Sequence, residues 1–550
     1  MLRACAFGFS SLWIATAAVA QTNFPPPVSP PGNPQTAQKE LLGMALFFEE
    51  QLSSTSTVAC ATCHDLARGG IDTRTVDAVN PGLDGLLGTA DDQNGSPGVG
   101  TILWNGSMLA TPAHGFGPSI TKRRAPTVVN SGYHTHLLYD GSKTSLEQLI
   151  AGPILNPVEM AHYGRTWNDV TQKLAASTPL VFASNLPARL QNFINGRTYP
   201  DLFNIAFGTS QVTQPRIVDA IANYLRTLNS DQSKWDLHLH GQAQLTAQEQ
   251  LGLNLFTSPA NGATSCHTCH GDFEQRVVNE GPIAGQMTMV SSGPYGSPLP
   301  IRLVFHNVGI RPPVEDPGRQ TTTGTAADAG KFRVASLRNV ELTAPYFHNG
   351  RFGSLRDVLD FYDRGGDFHV NQAANLTVRN YTIPEKDAIV ALLATLTDPR
   401  LAAGVQPFDK PTLGSQNGRL VTSIGQGEFT PVGQLQATAP FAPRLGEAWF
   451  RLTLTGATPG TPAFLMWDRA PATSPQQFNL ELGMTPAFEI FAAGTVEWTW
   501  MMPGGILQAP LPLPNVPALS GQTLFAQWLV LEPSQSWPLA TSNALRIPLL

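Results

Sequence analysis

Cysteine is rare in this chain, and what there is falls in a pattern. Of the five cysteines in 550 residues, Cys5 lies near the N-terminus and the others form two close pairs, Cys60 with Cys63 and Cys266 with Cys269. With those pairs committed to a shared task, nothing is left for a disulfide framework. Charge is sparse as well: charged residues make up 13% of the chain and the net charge is −6 with the 12 histidines neutral. No basic patch stands out, which argues against a nucleic-acid partner. Beyond the first twenty residues no apolar run is long enough for a membrane span. Glycine and proline are plentiful instead, 50 and 46 residues, as expected of long loops around modest helices. The length exceeds what one core serves and suggests about three or four domains.

The cysteine pairs are the centre of the reading. Cys60-Ala61-Thr62-Cys63-His64 recurs as Cys266-His267-Thr268-Cys269-His270. In a C-x-x-C-H run the two thiols can add across the vinyl groups of one porphyrin while the adjacent histidine becomes the proximal iron ligand. A zinc or dithiol redox site would leave unexplained why a histidine follows both second cysteines. Two covalently bound haem c groups are therefore expected, held by Cys60, Cys63 and His64 and by Cys266, Cys269 and His270.

Further repetition surrounds the motifs. Leu42-Gly43-Met44-Ala45-Leu46-Phe47 returns as Leu251-Gly252-Leu253-Asn254-Leu255-Phe256, an offset of 209 residues. Asn130 and Asn339 keep the same offset, as do Gly141 and Gly350. A unit of this size repeated twice is a duplicated domain rather than a solenoid. The expectation is two tandem cytochrome c-like lobes, 36–230 and 231–406, in a mainly α fold with long loops. A helix from Thr36 to Glu50 opens the first lobe, and one from Pro215 to Leu228 closes it. In the second, the capping-box pair Thr382 and Glu385 starts the closing helix, and another helix runs from Ser354 to Asp363. An insertion, 69–122, interrupts the first lobe. Its Asp, Asn and Gly residues do not have EF-hand spacing and read as a turn-rich loop.

The ends differ from the middle. Residues 1–20 carry Arg3, an apolar run and Ala18-Val19-Ala20, the pattern of a secretory signal peptide, so a periplasmic or secreted protein is expected. Residues 21–35 form a proline-rich spacer. After Pro407 short, largely alternating apolar runs appear, among them Thr495 to Trp500 and Leu524 to Leu531, so 407–550 is read as an all-β sandwich-like accessory domain. It contains neither histidine nor cysteine.

Taken in order, LGxxLF, CxxCH, APT, DG, GPxxxPxEM, LGxxLF, CxxCH, SLRN and APYxHNG resemble the bacterial dihaem cytochrome c peroxidases and their MauG-like relatives, over about Ala37 to Pro399. The resemblance implies that the His64 haem is the peroxide site and the His270 haem the electron-transfer site. It also implies that Glu159 is the distal carboxylate, since peroxide O–O cleavage needs a proton moved between its two oxygens. His114 is a candidate distal ligand of the first haem, and His348 matches a histidine beside the second. Tyr362 falls where typical peroxidases carry a methionine ligand to the second haem iron and where MauG carries a tyrosine; phenolate favours ferric iron, a thioether ferrous.

Departures from the family pattern carry expectations of their own. Tyr139 replaces the usual tryptophan between the haems, and a phenol relays an electron only with closer coupling to proton loss. Arg124 stands where an asparagine helps to bind calcium, and a cation there disfavours that ion. Leu149 replaces a distal-pocket glutamine. The expected function is an exported dihaem c-type peroxidase that reduces hydrogen peroxide with electrons from a small redox protein or other donor. The alternatives are a MauG-like oxidase of a protein or organic substrate working through high-valent haem, and a non-enzymatic electron-transfer cytochrome.

Overall fold

The computed structural model describes residues 24, 26–74, 78–100, 118–257, 265–270 and 305–416, with the backbone of short strands inside 276–288 and 422–548. Up to residue 416 it is rich in helix, with only two- to four-residue strands between. The expected signal peptide and His114 lie outside the described residues.

Two separate hydrophobic cores organise this helical part. One gathers Leu42, Leu46, Phe47, Ile217, Ile221 and Tyr224 among others; the other gathers Trp235, Leu255, Phe256, Ile389 and Leu392. Each is built on one helix pair, Ala37–Phe47 against Gln214–Leu225 and Ala247–Thr257 against Ile383–Ala394. The repeated LGxxLF motif explains both pairs. A Cβ on Gly43 would lie 1.9 Å from the Ala220 carbonyl oxygen, and one on Gly252 would lie 2.1 Å from that of Ala388. Only glycine lets the helix backbones approach so closely.

Another duplicated feature locks each closing helix. Asn130 and Asn339 both take the left-handed conformation, at φ 61° and 59°. Asn130 N–H donates to the Leu228 carbonyl at 2.9 Å and Asn339 N–H to that of Leu396 at 3.1 Å. Their side chains meet the same serine: Asn130 Nδ2 donates to the Ser230 carbonyl and Asn339 Nδ2 to the Ser230 hydroxyl. The Ser230 amide in turn donates to Asn130 Oδ1.

Helix bounds are shorter than the sequence pattern suggested. The first helix ends at Phe47, because the Glu49 side chain caps a separate 3-10 turn, Glu50–Leu52, by accepting from Gln51 N–H. The Pro215 helix runs Gln214–Leu225. Thr382 and Glu385 form the expected capping box, and the Ser354 hydroxyl caps Leu355–Asp363. The proline-rich stretch does not hang free: the Phe24 ring meets Tyr133 edge-on, the Arg338 guanidinium lies 4.6 Å from its centroid, and Asn33 is buried.

Residues 408–416 return to the first core, where Phe408 and Leu413 are buried and Glu50 accepts from the Gly414 and Ser415 amides. Beyond them lie antiparallel strands. Five join edge to edge in the order Thr495–Trp500, Pro462–Asp468, Thr523–Leu531, Ala544–Pro548 and Thr422–Ile424, with Leu539–Thr541 also paired to Thr523–Leu531. A three-stranded sheet joins Gln436–Thr438, Arg451–Thr455 and Leu507–Pro510.

Candidate functional site

Each C-x-x-C-H run forms one turn of helix on the wall of a cavity. In the first, Thr62 Oγ1 accepts from the Ala59 amide at 2.8 Å and the His64 amide donates to the Cys60 carbonyl at 3.0 Å. In the second, the His270 amide donates to the Cys266 carbonyl at 3.0 Å. This local geometry turns both cysteines and the histidine towards a cavity of about 540 Å³ in the first case and about 250 Å³ in the second.

The histidines are oriented alike. His64 Nδ1–H donates to the Gly70 carbonyl at 3.1 Å and His270 Nδ1–H to that of Ala335 at 3.2 Å. A backbone acceptor on Nδ1 fixes the tautomer and leaves Nε2 with its lone pair for a metal. Burial holds both rings neutral, lowering His64 and bringing His270 down to about 4. It also pushes the Cys60 and Cys63 thiols up to about 12. Among the described residues no three His, Cys, Asp or Glu side chains converge as a metal-ion site. Several of the insertion's acidic groups hold its own backbone: Asp91 accepts from the Leu83 and Asp84 amides and Asp92, through Oδ2, from those of Gly88 and Thr89.

Polar groups around the cavities also fit haem. Arg124, Pro126, Thr127, His134, Tyr139 and Arg333 line both cavities and so form a wall between them. Arg124 and Arg333 meet no carboxylate in an ion pair among the described residues, and the Nε2 of buried His348, in the second cavity, has no hydrogen-bond partner. Two cations without carboxylate partners, Arg124 buried and Arg333 half-buried, suit a ligand that brings its own carboxylates, as haem does with its propionates, while the His348 ring nitrogen already faces Asp316 at 3.8 Å.

The remaining expected residues divide between the cavities. Glu159 lines the first, and burial raises its carboxyl above the usual range despite an opposing hydrogen bond from the Asn156 side chain. Leu149 lines it too. Tyr362 lines the second, beside Phe347 and Phe361, and burial raises its phenol. Tyr139 stands in the shared wall, where its oxygen accepts from Arg124 Nε at 3.2 Å. His348 stacks on Phe332 with centroids 3.7 Å apart, meets Tyr139 edge-on at 6.1 Å and is lowered to about 3, chiefly by burial. Arg123 clamps the region by bonding Asp316 through two nitrogens and Asp140 through a third. Arg333, His134 and Gln93 were not foreseen; each belongs to no motif, and only the fold brings it to a cavity.

Comparison with known proteins agrees with this geometry. The family model of the di-haem cytochrome c peroxidases matches residues 37–244. The cytochrome c551 peroxidase of Nitrosomonas europaea is 29% identical over 405 residues, 73% of this chain and 91% of that protein. The methylamine utilization protein MauG of Paracoccus denitrificans is 29% identical over 398 residues, 65% of this chain and 88% of that protein. A solved MauG-like protein associated with microbial copper homeostasis is 26% identical, with a TM-score of 0.50 over 73% of this chain and 99% of that one.

The helical part of the fold and its two cavities are thus similar to those of the di-haem cytochrome c peroxidases and their MauG-like relatives. That likeness marks the chain as an oxidoreductase and implies two c-type haems, peroxide and an electron donor. Among the described residues no helix is long and apolar enough to cross a membrane.

Proposed function

We propose that the chain is an exported dihaem c-type peroxidase in which peroxide is reduced in the His64 cavity and electrons from an external donor enter through the His270 cavity. One observation carries the reading. His64 and Glu159 line one cavity, His270 and Tyr362 line another, and Tyr139 stands in the wall they share. Residues 36–230 and 231–406 are the two haem lobes, each with its own core, and the strands of 407–550 form a β-sandwich-like accessory domain. A leader at 1–20 sends the chain to the periplasm or beyond.

Bound through Cys60, Cys63 and His64, haem supplies the redox iron at which peroxide is reduced. The protein's part is proton handling and orientation. Glu159, ionised, takes a proton from incoming peroxide and returns it to the departing oxygen, from a half-buried position on the cavity wall. Gly70 holds His64 in one tautomer through Nδ1. Tyr139 relays electrons between cavities, with Arg124 holding its oxygen. Arg124 donates to the Thr343 carbonyl at 2.9 Å, so a guanidinium already supplies positive charge where calcium would otherwise be considered.

Glu159→Gln tests the reading. It should leave two haems bound and slow the reaction with peroxide by roughly a hundredfold or more, the scale of a lost acid–base group. An unchanged rate would return Glu159 to a structural role. Tyr362 favours a second reading, oxidation of a protein or organic substrate in the manner of MauG, because a phenol rather than a thioether lines the second cavity. Fast steady-state turnover with reduced cytochrome c and peroxide would count against it.

A further inference from the structure

The insertion is more than a surface loop, because two of its strands build the wall behind Glu159. Strand Pro97–Gly100 pairs with Pro118–Ile120, and Val99 is buried in the first core. Its backbone runs against the Val158-Glu159 turn: the Val99 amide donates to the Glu159 carbonyl at 2.9 Å. A Cβ on Gly98 would lie 2.1 Å from the Val158 carbonyl oxygen, 2.6 Å from the Glu159 carbonyl oxygen and 2.7 Å from the Glu159 Cα. All three are backbone atoms, so no rotamer change would relieve the clash. Gly98 therefore reports how closely the insertion is fitted to the segment carrying the carboxylate. Gly98, Ser96, Thr121 and Glu159 line the same cavity.

We propose that this strand pair is a positioning element for the distal carboxylate, with Gly98 and the Val99 amide fixing the backbone from which the Glu159 side chain reaches the cavity. The inference rests on the acid–base reading of Glu159 and extends it to residues outside the family's motifs. The turn is tied on one side by Asn156 and, at Met160, by the Ser54 amide and the Arg165 guanidinium on its carbonyl; the insertion supplies the contact at Glu159 itself, where misplacement by about 1 Å can cost about a hundredfold in rate. That contact is one hydrogen bond and one close approach.

Holoprotein carrying Gly98→Ala or Val99→Pro tests the proposal. The first forces the strand away from Glu159. The second deletes the amide that bonds Glu159, at a position whose register does not pair with Ile120 or Pro118. Both should keep two haems and slow the peroxide reaction roughly ten- to a hundredfold in stopped flow. Both should move the acid limb of the pH–rate profile, together with the infrared carboxyl band identified by its loss in Glu159→Gln. Gly98→Ala added to Glu159→Gln should slow the reaction no further, since residues acting through one group are not additive.

Wild-type rates and an unmoved band in both variants, with Glu159→Gln still slow, would overturn this inference alone. An unaffected Glu159→Gln would remove the reading beneath it. Failure of both variants to retain two haems would also overturn it, by making the strand pair a general scaffold.

Discussion

Arg124 donates Nε–H to the phenol oxygen of Tyr139 at 3.2 Å while its Nη1 donates to the Thr343 carbonyl at 2.9 Å, so one buried cation ties the aromatic between the cavities to the second half of the chain. The same residue's amide donates to the His348 carbonyl at 2.9 Å. This makes Arg124 a joint between the halves as well as a partner of Tyr139.

Tyr139→Phe should therefore act in two ways. Losing the acceptor leaves a buried guanidinium N–H unsatisfied, at a cost of about 1–3 kcal/mol in denaturant unfolding. Removing the phenol should also slow electron passage between the halves, seen as delayed oxidation of the second haem after one equivalent of peroxide. Unchanged stability together with unchanged timing would remove Tyr139 from both roles.

Each C-x-x-C-H pair should hold its haem independently. Cys60→Ala with Cys63→Ala, or Cys266→Ala with Cys269→Ala, should lower covalent haem from two per chain to one, counted by mass and by the pyridine haemochrome spectrum. Two haems retained in either double variant would refute the attachment.

Much of this was legible because the chain states it twice. Gly43 and Gly252 recur at one offset, and the fold gives the reason, since each sits where two helix backbones nearly touch. Asn130 and Asn339 recur because each must adopt a left-handed conformation beside its closing helix. Arg333 and His134 were not legible. A half-buried cation and a half-buried imidazole leave no periodic trace, and neither lies in a motif. The insertion misled for a related reason: turn residues dominate its composition, while its contact with Glu159 runs through backbone atoms of Gly98 and Val99 that sequence does not mark.

The close helix contacts give a stability prediction. Gly43→Ala places a methyl 1.9 Å from the Ala220 carbonyl oxygen, and overpacking of this kind costs about 1–3 kcal/mol or more. A lower unfolding midpoint is expected with haem content unchanged at first. A midpoint equal to wild type would mean that the two helices separate at little cost.

Glu159 gives a pH prediction. A base must be ionised to accept a proton, so the peroxide rate should rise with pH through the pKa of this carboxyl. Burial raises that value, and the acid limb should therefore lie above the ordinary glutamate value of about 4.3. Glu159→Gln should flatten the limb. A limb at the ordinary position, or one that survives the substitution, would assign it to another group.

Tyr362 separates the two functional readings most sharply. Its ring lies among Phe347 and Phe361 in the wall of the second cavity, and among the described residues no protein hydrogen bond engages its hydroxyl, which leaves the oxygen available to a metal. If that oxygen ligates iron, Tyr362→Met exchanges a hard anionic donor for a neutral thioether. Phenolate stabilises ferric over ferrous iron and sulfur does the reverse, so the potential of the second haem should rise. Each 1.4 kcal/mol of differential stabilisation is about 60 mV for one electron, a shift that redox titration resolves easily. The variant should also resemble a cytochrome-fed peroxidase more closely, with faster turnover on reduced cytochrome c. An unaltered potential and spectrum would make Tyr362 a packing residue of the Leu355–Asp363 helix, and the case for MauG-like oxidation would lose its main support.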